Sequence, residues 1–318
     1  MKVKGKICQT GGKQNSTGRY INEDGLTTFT VNKNGEKYEF IILMDGATGL
    51  GRNYEITKGS TSAEWYVDFM MAEMQKILTQ DPTIPLETVV ENCIIRATEA
   101  IKYYEERSGM KLEEHEKPSA ALSLLRTDGT KTQIYLIGDT ETIVGYKNGE
   151  VIKVDNPNQK ALRVLDQGVI NRMAEIARER NCSVLDARTD PEIEEMLQVN
   201  RAKKNSQCLD GYWVCGTTPG TAKHGICVEF DNSEIEGIIL ATDGFDYSML
   251  DLNEEQVYEA VKKYGTDYVS RSIRSVQDND AQCNKYPRFK KGDDLAVVQF
   301  DYLERDISIE NKKEEKDK

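Results

Sequence analysis

The chain has 318 residues, of which 38% are hydrophobic and 30% are charged. This apolar content is sufficient for a hydrophobic core and excludes a largely disordered protein, and the length predicts one large or two ordinary domains. A net charge of -12 argues against a protein that binds nucleic acid or an anionic membrane through charge alone.

The first half of the chain predicts strands, two helices and then more strands. Polar–apolar alternation in the first 40 residues is typical of hairpin strands. Residues 60–79 place their apolar side chains on one face and predict a helix, with Ser60 or Ser62 as its capping residue. A second amphipathic helix follows Pro85, and consecutive strands joined by turns cover residues 119–154.

The second half of the chain begins with a highly charged helical stretch and ends with a strand. The predicted elements, in order, are helical residues 165–202, strands at 225–231 and 236–244, one helix from Glu254 to Ser275, and a strand at 295–302. Helices therefore occur in pairs between blocks of consecutive strands. This order predicts an α+β fold with antiparallel sheets and argues against a doubly wound parallel sheet.

The cysteines and histidines restrict the chemistry that this chain can perform. Seven cysteines include no CxxC pair, and their odd number argues against a disulfide framework or a zinc ribbon. No run approaches the ~18 apolar residues of a membrane span, and no apolar stretch follows the basic N-terminus. We therefore expect a cytoplasmic protein with reduced cysteines. With only two histidines, a metal site must use carboxylates, which favours Mg²⁺ or Mn²⁺.

Acidic residues stand where predicted apolar strands begin or end. Asp45, Asp139 and Asp243 each close such a strand, and Asp293 opens the last one. Carboxylates that converge from rigid strand ends provide the oxygen ligands of a hard cation. An alternative explanation is turn formation, because Asp-Gly is a hairpin signal and the chain contains five such pairs. The pair at 128–129 is interpreted as a turn.

Five short motifs, in the right order, resemble the metal-dependent serine/threonine protein phosphatase family (type 2C). They are Arg-x-x-Asn-Glu-Asp at 19–24, Asp-Gly-x-x-Gly at 45–49, Ile-Gly-Asp-Thr at 137–140, Ala-Thr-Asp-Gly at 241–244 and Asp-Asp-Leu-Ala-Val-Val at 293–298. The resemblance extends from about residue 5 to residue 302. It implies a four-layer α-β-β-α sandwich of two antiparallel sheets flanked by helices, within a single domain at 1–303. Residues 304–318 are predicted to be a disordered tail.

The resemblance also implies a site that holds two Mn²⁺ or Mg²⁺ ions and acts on a phosphoprotein substrate. Asp45 would bridge the two ions, and a hydroxide between them would attack phosphorus without a phospho-enzyme. Arg19 would bind the substrate phosphate. The implied metal ligands are Glu23, Asp24, Asp45, the Gly46 carbonyl, Asp243 and Asp293, and Asp139 would border a third, weaker metal position.

Departures from the family pattern keep a second function under consideration. Ala47 stands where the family usually has His or Met, and Tyr247 stands where an acid usually follows the Ser-Asp-Gly motif. These two residues are the evidence for a non-catalytic pseudophosphatase that binds or senses a partner. Retention of the aspartates and of the Glu23–Asp24 pair favours the enzyme. Residues 165–205 are either a substrate-facing flap or a plain helical insert.

Overall fold

Two antiparallel sheets of five strands each lie at the centre of the computed structural model, which describes residues 1–15 and 17–302. The strands are β1 (Lys2–Gln9), β2 (Asp24–Lys33), β3 (Glu36–Ala47), β4 (Ser119–Thr127), β5 (Lys131–Ile137), β6 (Glu141–Tyr146), β7 (Val151–Lys153), β8 (Ile226–Asp231), β9 (Ile235–Ala241) and β10 (Leu295–Asp301). One sheet has the order β1-β10-β9-β6-β7 and the other β2-β3-β4-β5-β8.

Helices cover the outer face of each sheet or belong to an insert between β7 and β8. They are α1 (Ser62–Gln80), α2 (Leu86–Ser108), α3 (Pro157–Arg180), α4 (Val184–Ala187), α5 (Pro191–Ala202), α6 (Glu254–Tyr264) and α7 (Thr266–Asn279). The pair α1 and α2 packs on the β2–β3–β4 side, and α6 and α7 pack on the other sheet. The predicted α+β sandwich of two antiparallel sheets flanked by helices is confirmed. No helix in the described part of the chain combines the length and apolar character of a membrane span.

Strand β3 is buried on both faces, which explains its uninterrupted apolar run. Ile41 and Leu43 belong to the core between the two sheets, whereas Ile42 and Met44 belong to the core beneath α1 and α2. Successive side chains of a strand point to opposite faces, so both faces need apolar residues here. Full burial of each such side chain contributes roughly 1.5–3 kcal/mol.

Helices α3 to α5 form an insert with a small core of its own. Val169, Met173 and Ile193 pack there with Cys283 and Phe289, which come from the loop before β10. Helix α3 begins at Pro157, eight residues before the predicted start, because the Asn156 side chain accepts a hydrogen bond from the Asn158 amide and caps it. The boundaries of the predicted domain remain a prediction, and the predicted tail at 304–318 lies outside the described residues.

Two details of the helices differ from the sequence-based expectation. Thr61 caps α1, because its hydroxyl accepts from the Glu64 amide, and the predicted caps Ser60 and Ser62 do not have this role. The single helix predicted at 254–275 is two helices that meet at Gly265. This residue has φ +86° and ψ 159°, a conformation that essentially only glycine adopts.

We predict that Gly265→Ala lowers the free energy of unfolding by about 1–3 kcal/mol, because a β-carbon is strained at this φ and ψ. Apart from its chain neighbours, no atom would lie within 4 Å of a β-carbon at this position, so the cost comes from the backbone alone. Gly168→Ala, inside α3 and equally unobstructed, is the matched control and should stabilise by up to about 1 kcal/mol. Chemical denaturation measures both variants. A Gly265→Ala protein as stable as wild type would refute this account.

Candidate active site

Asp24 and Asp45 lie opposite each other on the paired strands β2 and β3. Asp45 is two residues inside the end of β3 and pairs with Ala121 of β4 on its other side, so neither Asp-Gly pair here forms a turn. The Asp24 carboxylate accepts a hydrogen bond from the Thr242 hydroxyl at 2.7 Å. That hydroxyl in turn accepts from the Ala296 amide at 2.8 Å, which joins the two sheets at this point.

Three further aspartates come from loops at the same end of the sandwich. Asp139 follows β5, Asp243 follows β9, and Asp293 precedes β10, each by two residues. The backbone amide of Asp243 donates to a carboxylate oxygen of Asp45 at 3.4 Å. The charges of Asp243, Asp24, Asp139 and Asp293 all act on Asp45, so these aspartates lie close enough to repel it. We call these five residues the acid cluster.

Desolvation and nearby carboxylates raise the pKa of Asp45, Asp24, Asp243 and Asp139. Desolvation, followed by the charge of Asp243, holds the pKa of Asp45 well above its usual range, and the same two effects outweigh the Thr242 hydrogen bond at Asp24. Asp243 touches solvent, yet partial desolvation and the charges of Asp293 and Asp139 raise its pKa to about 7. Desolvation raises the pKa of Asp139 to about 6.

The loop between β1 and β2 places Glu23 at the edge of the acid cluster. Asp294, the neighbour of Asp293, accepts from the Gly11 amide at 2.6 Å and from the Glu23 amide at 2.7 Å, so it clamps this loop against β10. The Glu23 carboxylate contacts the Lys13 ammonium at 3.1 Å and the Thr48 hydroxyl. Glu23 itself is buried.

Gly46 occupies a position that no larger residue fits. Its amide donates to the Glu23 carbonyl at 3.1 Å. A β-carbon at Gly46 would lie 2.3 Å from that carbonyl oxygen and 2.9 Å from the Val67 side chain. Glycine is therefore required for the β1–β2 loop to approach β3 next to Asp45.

The predicted phosphate ligand Arg19 is held by helix α1. Its guanidinium donates to both carboxylate oxygens of Glu64, at 2.8 and 2.6 Å, and to the Gly59 carbonyl at 2.6 Å. Among the described residues, its hydrogen bonds do not reach the acid cluster. Glu64 lies 45 positions away in the sequence, and no local pattern indicated this pair.

The helical insert contributes charged residues that the sequence did not single out. Asp166 of α3 and Arg201 of α5 both act electrostatically on Asp139, with opposite sign. Desolvation and the charge of Asp243 raise the pKa of Asp166 to about 6. No motif marks Asp166 or Arg201, because their proximity to the cluster arises only when the insert folds back on the sheets.

Lys204, just after α5, anchors the insert to the body of the protein. Its side chain is 0% exposed, and the ammonium donates to the Lys117 carbonyl at 2.9 Å and lies 3.9 Å from the Glu114 carboxylate. Burial, followed by the charge of Arg201, lowers the pKa of Lys204 to about 7. The segment that contacts Lys204, residues 114–117, is also hydrogen-bonded to the loop after β3. The Leu50 amide of that loop donates to the His115 carbonyl.

Tyr247, which stands where the family usually has an acid, is a core residue in this structure. Its ring is buried in the core between the sheet and helices α6 and α7. The neighbouring Asp246 carboxylate accepts from the Ser248 amide and caps the short turn at 247–250. Neither residue supplies the acid that the family usually has at this point.

The chemistry of the acid cluster fits a hard divalent cation. All the donors are oxygen atoms, and closely spaced buried carboxylates are stabilised by a bound cation. Within residues 1–15 and 17–302, no group of three or more His, Cys, Asp and Glu side chains is arranged so that it could hold a metal ion. Carboxylates repel one another, and Lys13 and Lys290 contact two candidate ligands, Glu23 and Asp293. The residues therefore fit the ion in chemical type, and the described side chains are not gathered around one point.

Comparison with known proteins identifies the family. A family model described as protein phosphatase 2C matches residues 12–283, most of the chain. The chain therefore belongs to the protein phosphatase 2C family of serine/threonine phosphatases, and the resemblance found in the sequence is confirmed. No curated protein matches the chain significantly.

Solved structures of bacterial phosphatases share this fold. The serine/threonine phosphatase Stp1 from Staphylococcus aureus is 14% identical, with a TM-score of 0.55 and coverage of 96% of both chains. The serine/threonine phosphatase PstP/Ppp from Mycobacterium tuberculosis is 13% identical, with a TM-score of 0.50 over 94% of this chain and 98% of that one. A PstP catalytic domain solved in complex with two manganese ions is 14% identical, with a TM-score of 0.50 over 94% and 97%.

We predict that Thr242→Val lowers the free energy of unfolding by about 2–4 kcal/mol. The substitution leaves the Ala296 amide and the Asp24 carboxylate without a buried partner, at a cost of roughly 1–3 kcal/mol for each group. Thr242→Ser keeps the hydroxyl and is the matched control, expected to lose about 1 kcal/mol for one methyl group. Denaturant unfolding compares the two variants, and equal stability would exclude a structural role for the hydroxyl.

A second prediction concerns the pH dependence of stability at Lys204. In the unfolded chain a lysine has a pKa of about 10.4, so between pH 7 and pH 10 the unfolded state binds more protons than the folded state. Lys204 therefore makes the free energy of unfolding rise with pH in this window, by at most about 1.4 kcal/mol per pH unit. Lys204→Met should remove this rise. Denaturation at pH 7, 8 and 9 measures it, with Lys203→Met as control, and identical slopes for Lys204→Met and wild type would contradict the prediction.

Proposed function

We propose that this chain hydrolyses phosphoserine and phosphothreonine esters on proteins with the help of two Mn²⁺ or Mg²⁺ ions. The observation that carries the proposal is that four aspartates, from four separate segments, act electrostatically on Asp45 at one end of a protein phosphatase 2C fold. A site of this charge repels a phosphate dianion unless cations are present. The proposal therefore requires a metal.

The proposed ligands follow from the family resemblance and are supported by the position of Asp45. Asp45 is paired with Asp24 on the neighbouring strand, and its carboxylate accepts a hydrogen bond from the Asp243 amide. Contact with both of these proposed ligands suits a residue shared by two ions. Asp243, Asp293 and the Gly46 carbonyl are proposed for one ion, and Glu23 and Asp24 for the other. Asp139 is proposed to border a third position. Ions held by these residues would supply Lewis acidity and would make water more acidic, which is the chemistry that the resemblance implies for the attack on phosphorus.

The chain's own residues orient the ligands and the substrate in this proposal. Thr242 holds one oxygen of Asp24, and the Asp294 clamp fixes the backbone of Glu23. Arg19 is proposed to bind the substrate phosphate, because a guanidinium can donate two parallel hydrogen bonds to two phosphate oxygens. Its ion pair with Glu64 holds the guanidinium in a fixed orientation until substrate arrives.

A non-catalytic binding module is the second candidate. Ala47 and Tyr247 favour it, because each replaces a residue that the family usually provides. The retention of all five aspartates and of Glu23 weighs against it, since a binding module does not need mutually repelling carboxylates at one site. Hydrolysis of a phosphopeptide by the Mn²⁺-loaded protein distinguishes the two candidates.

We predict that the Mn²⁺-loaded wild type hydrolyses a phosphopeptide, that a chelator abolishes this activity, and that Asp45→Asn lowers kcat by about 100-fold or more. Asparagine keeps the shape but has no charge and one fewer carboxylate oxygen, so it cannot serve two ions. Steady-state kinetics measures the effect, and circular dichroism checks the fold.

Asp128→Asn is the matched control for this experiment. Asp128 belongs to the Asp-Gly turn at the opposite end of β4, and its side-chain oxygen accepts from the Thr130 and Lys131 amides. Asparagine retains that acceptor, so turnover should stay at the wild-type level. Wild-type turnover in Asp45→Asn would remove Asp45 from the site, and an inactive metal-loaded wild type would favour the binding module.

A further inference from the structure

Two lysine side chains contact candidate metal ligands. The ammonium of Lys290 lies 2.6 Å from one oxygen of Asp293, and the ammonium of Lys13 lies 3.1 Å from Glu23. Both side chains are about half exposed, at 57% and 53%. Within the described residues, these are the basic side chains in ion-pair contact with the proposed ligands. Neither lysine belongs to a motif of the family resemblance.

The backbone that carries Lys290 is fixed by a network centred on Arg288. The Arg288 guanidinium is largely buried and donates to the Asp280 carboxylate at 2.7 Å and to the Tyr286 and Lys291 carbonyls at 2.8 and 2.9 Å. The thiol of Cys283 also donates to the Lys290 carbonyl. The backbone at Lys290 is therefore held by several hydrogen bonds, whereas its half-exposed side chain is held by the contact with Asp293.

The contact between Lys290 and Asp293 uses only one of the two carboxylate oxygens. The same oxygen, Oδ1, also accepts the Asp294 amide at 2.9 Å. Neither of these two hydrogen bonds uses the second oxygen, Oδ2. The Lys290 ammonium thus lies directly beside a proposed metal ligand, and the charges of Asp243 and Glu23 also act on it.

Metal binding changes the balance of forces on Lys290. A cation that shares the charge of Asp293 weakens the attraction between Asp293 and the ammonium, because two positive charges then compete for one carboxylate. A phosphate dianion bound to the same metal presents oxygen acceptors to the ammonium and replaces the partner that it has lost. Arg19, by contrast, already donates to both oxygens of Glu64.

We propose that Lys290 is a substrate-binding residue, whose ammonium moves from Asp293 to an oxygen of the substrate phosphate once the metal ions are in place. This inference rests on the proposed phosphatase function. It adds a basic residue of the loop before β10 to the phosphate site, beside the β1–β2 loop that Asp294 holds against β10.

Lys290→Met tests the proposal, because methionine keeps the length of the side chain without its charge. At saturating Mn²⁺, kcat/KM on a phosphopeptide should fall on the order of 10- to 100-fold, mainly through KM. Inorganic phosphate should inhibit the variant correspondingly less. The Mn²⁺ affinity, measured by calorimetry, should not fall, and Lys290→Arg should recover most of the activity.

Lys291→Met is the matched control. The Lys291 ammonium pairs with Asp278 on the surface of α7 at 2.8 Å, and its side chain is exposed to nearly the same extent as that of Lys290. This variant should behave as wild type. A Lys290→Met enzyme with wild-type kcat/KM, with or without tighter Mn²⁺ binding, would show that Lys290 is only a counter-ion of Asp293 and would overturn the inference.

The failure of this inference can be distinguished from failure of the proposed function. If the Mn²⁺-loaded wild type has no phosphatase activity, the proposed function fails, and calorimetry with inorganic phosphate then tests Lys290 alone. Weaker phosphate binding by Lys290→Met than by wild type and Lys291→Met would support the phosphate contact. Equal binding by all three proteins, or none by any of them, would overturn it.

Discussion

Repulsion among carboxylates that are partly withdrawn from water is the constraint on which the rest of this structure depends. Five aspartates share one end of the sandwich, and the charges of Asp243, Asp24, Asp139 and Asp293 raise the pKa of Asp45. A fold that relaxed freely would separate them, so the chain must hold them together at the expense of stability. It does so by placing them on or beside strands whose own burial is strongly favourable. A divalent cation bound at the cluster would relieve this repulsion.

Polar contacts between distant segments resist this repulsion. Thr242 connects Asp24 to the backbone of β10, and Asp294 connects β10 to the β1–β2 loop. Gly46 allows that loop to approach β3. None of these residues is required to touch a metal ion, yet each fixes a side chain or backbone segment that is proposed to do so. The supporting shell spans both sheets, and the geometry of the site is therefore a property of the whole sandwich.

The sequence predicted the parts of the structure that depend on local patterns. Apolar runs and turn signals gave the strands, and the five motifs led to the acid cluster because acids beside buried strands are unusual. The break at Gly265 was missed because a single glycine is tolerated inside a helix, and its left-handed conformation is not visible in the sequence. The Arg19–Glu64 pair and the positions of Asp166 and Lys290 depend on tertiary packing, which no local pattern encodes.

The shared core of the insert limits how far this protein can be treated as modular. Cys283 and Phe289 pack against α3 to α5, yet they belong to the loop that leads into Asp293. Replacing residues 157–202 with the corresponding segment of a relative would leave both side chains without their packing partners and would loosen the approach to β10. A chimaera that exchanges the insert for that of a relative must therefore transfer the 280–292 loop together with it.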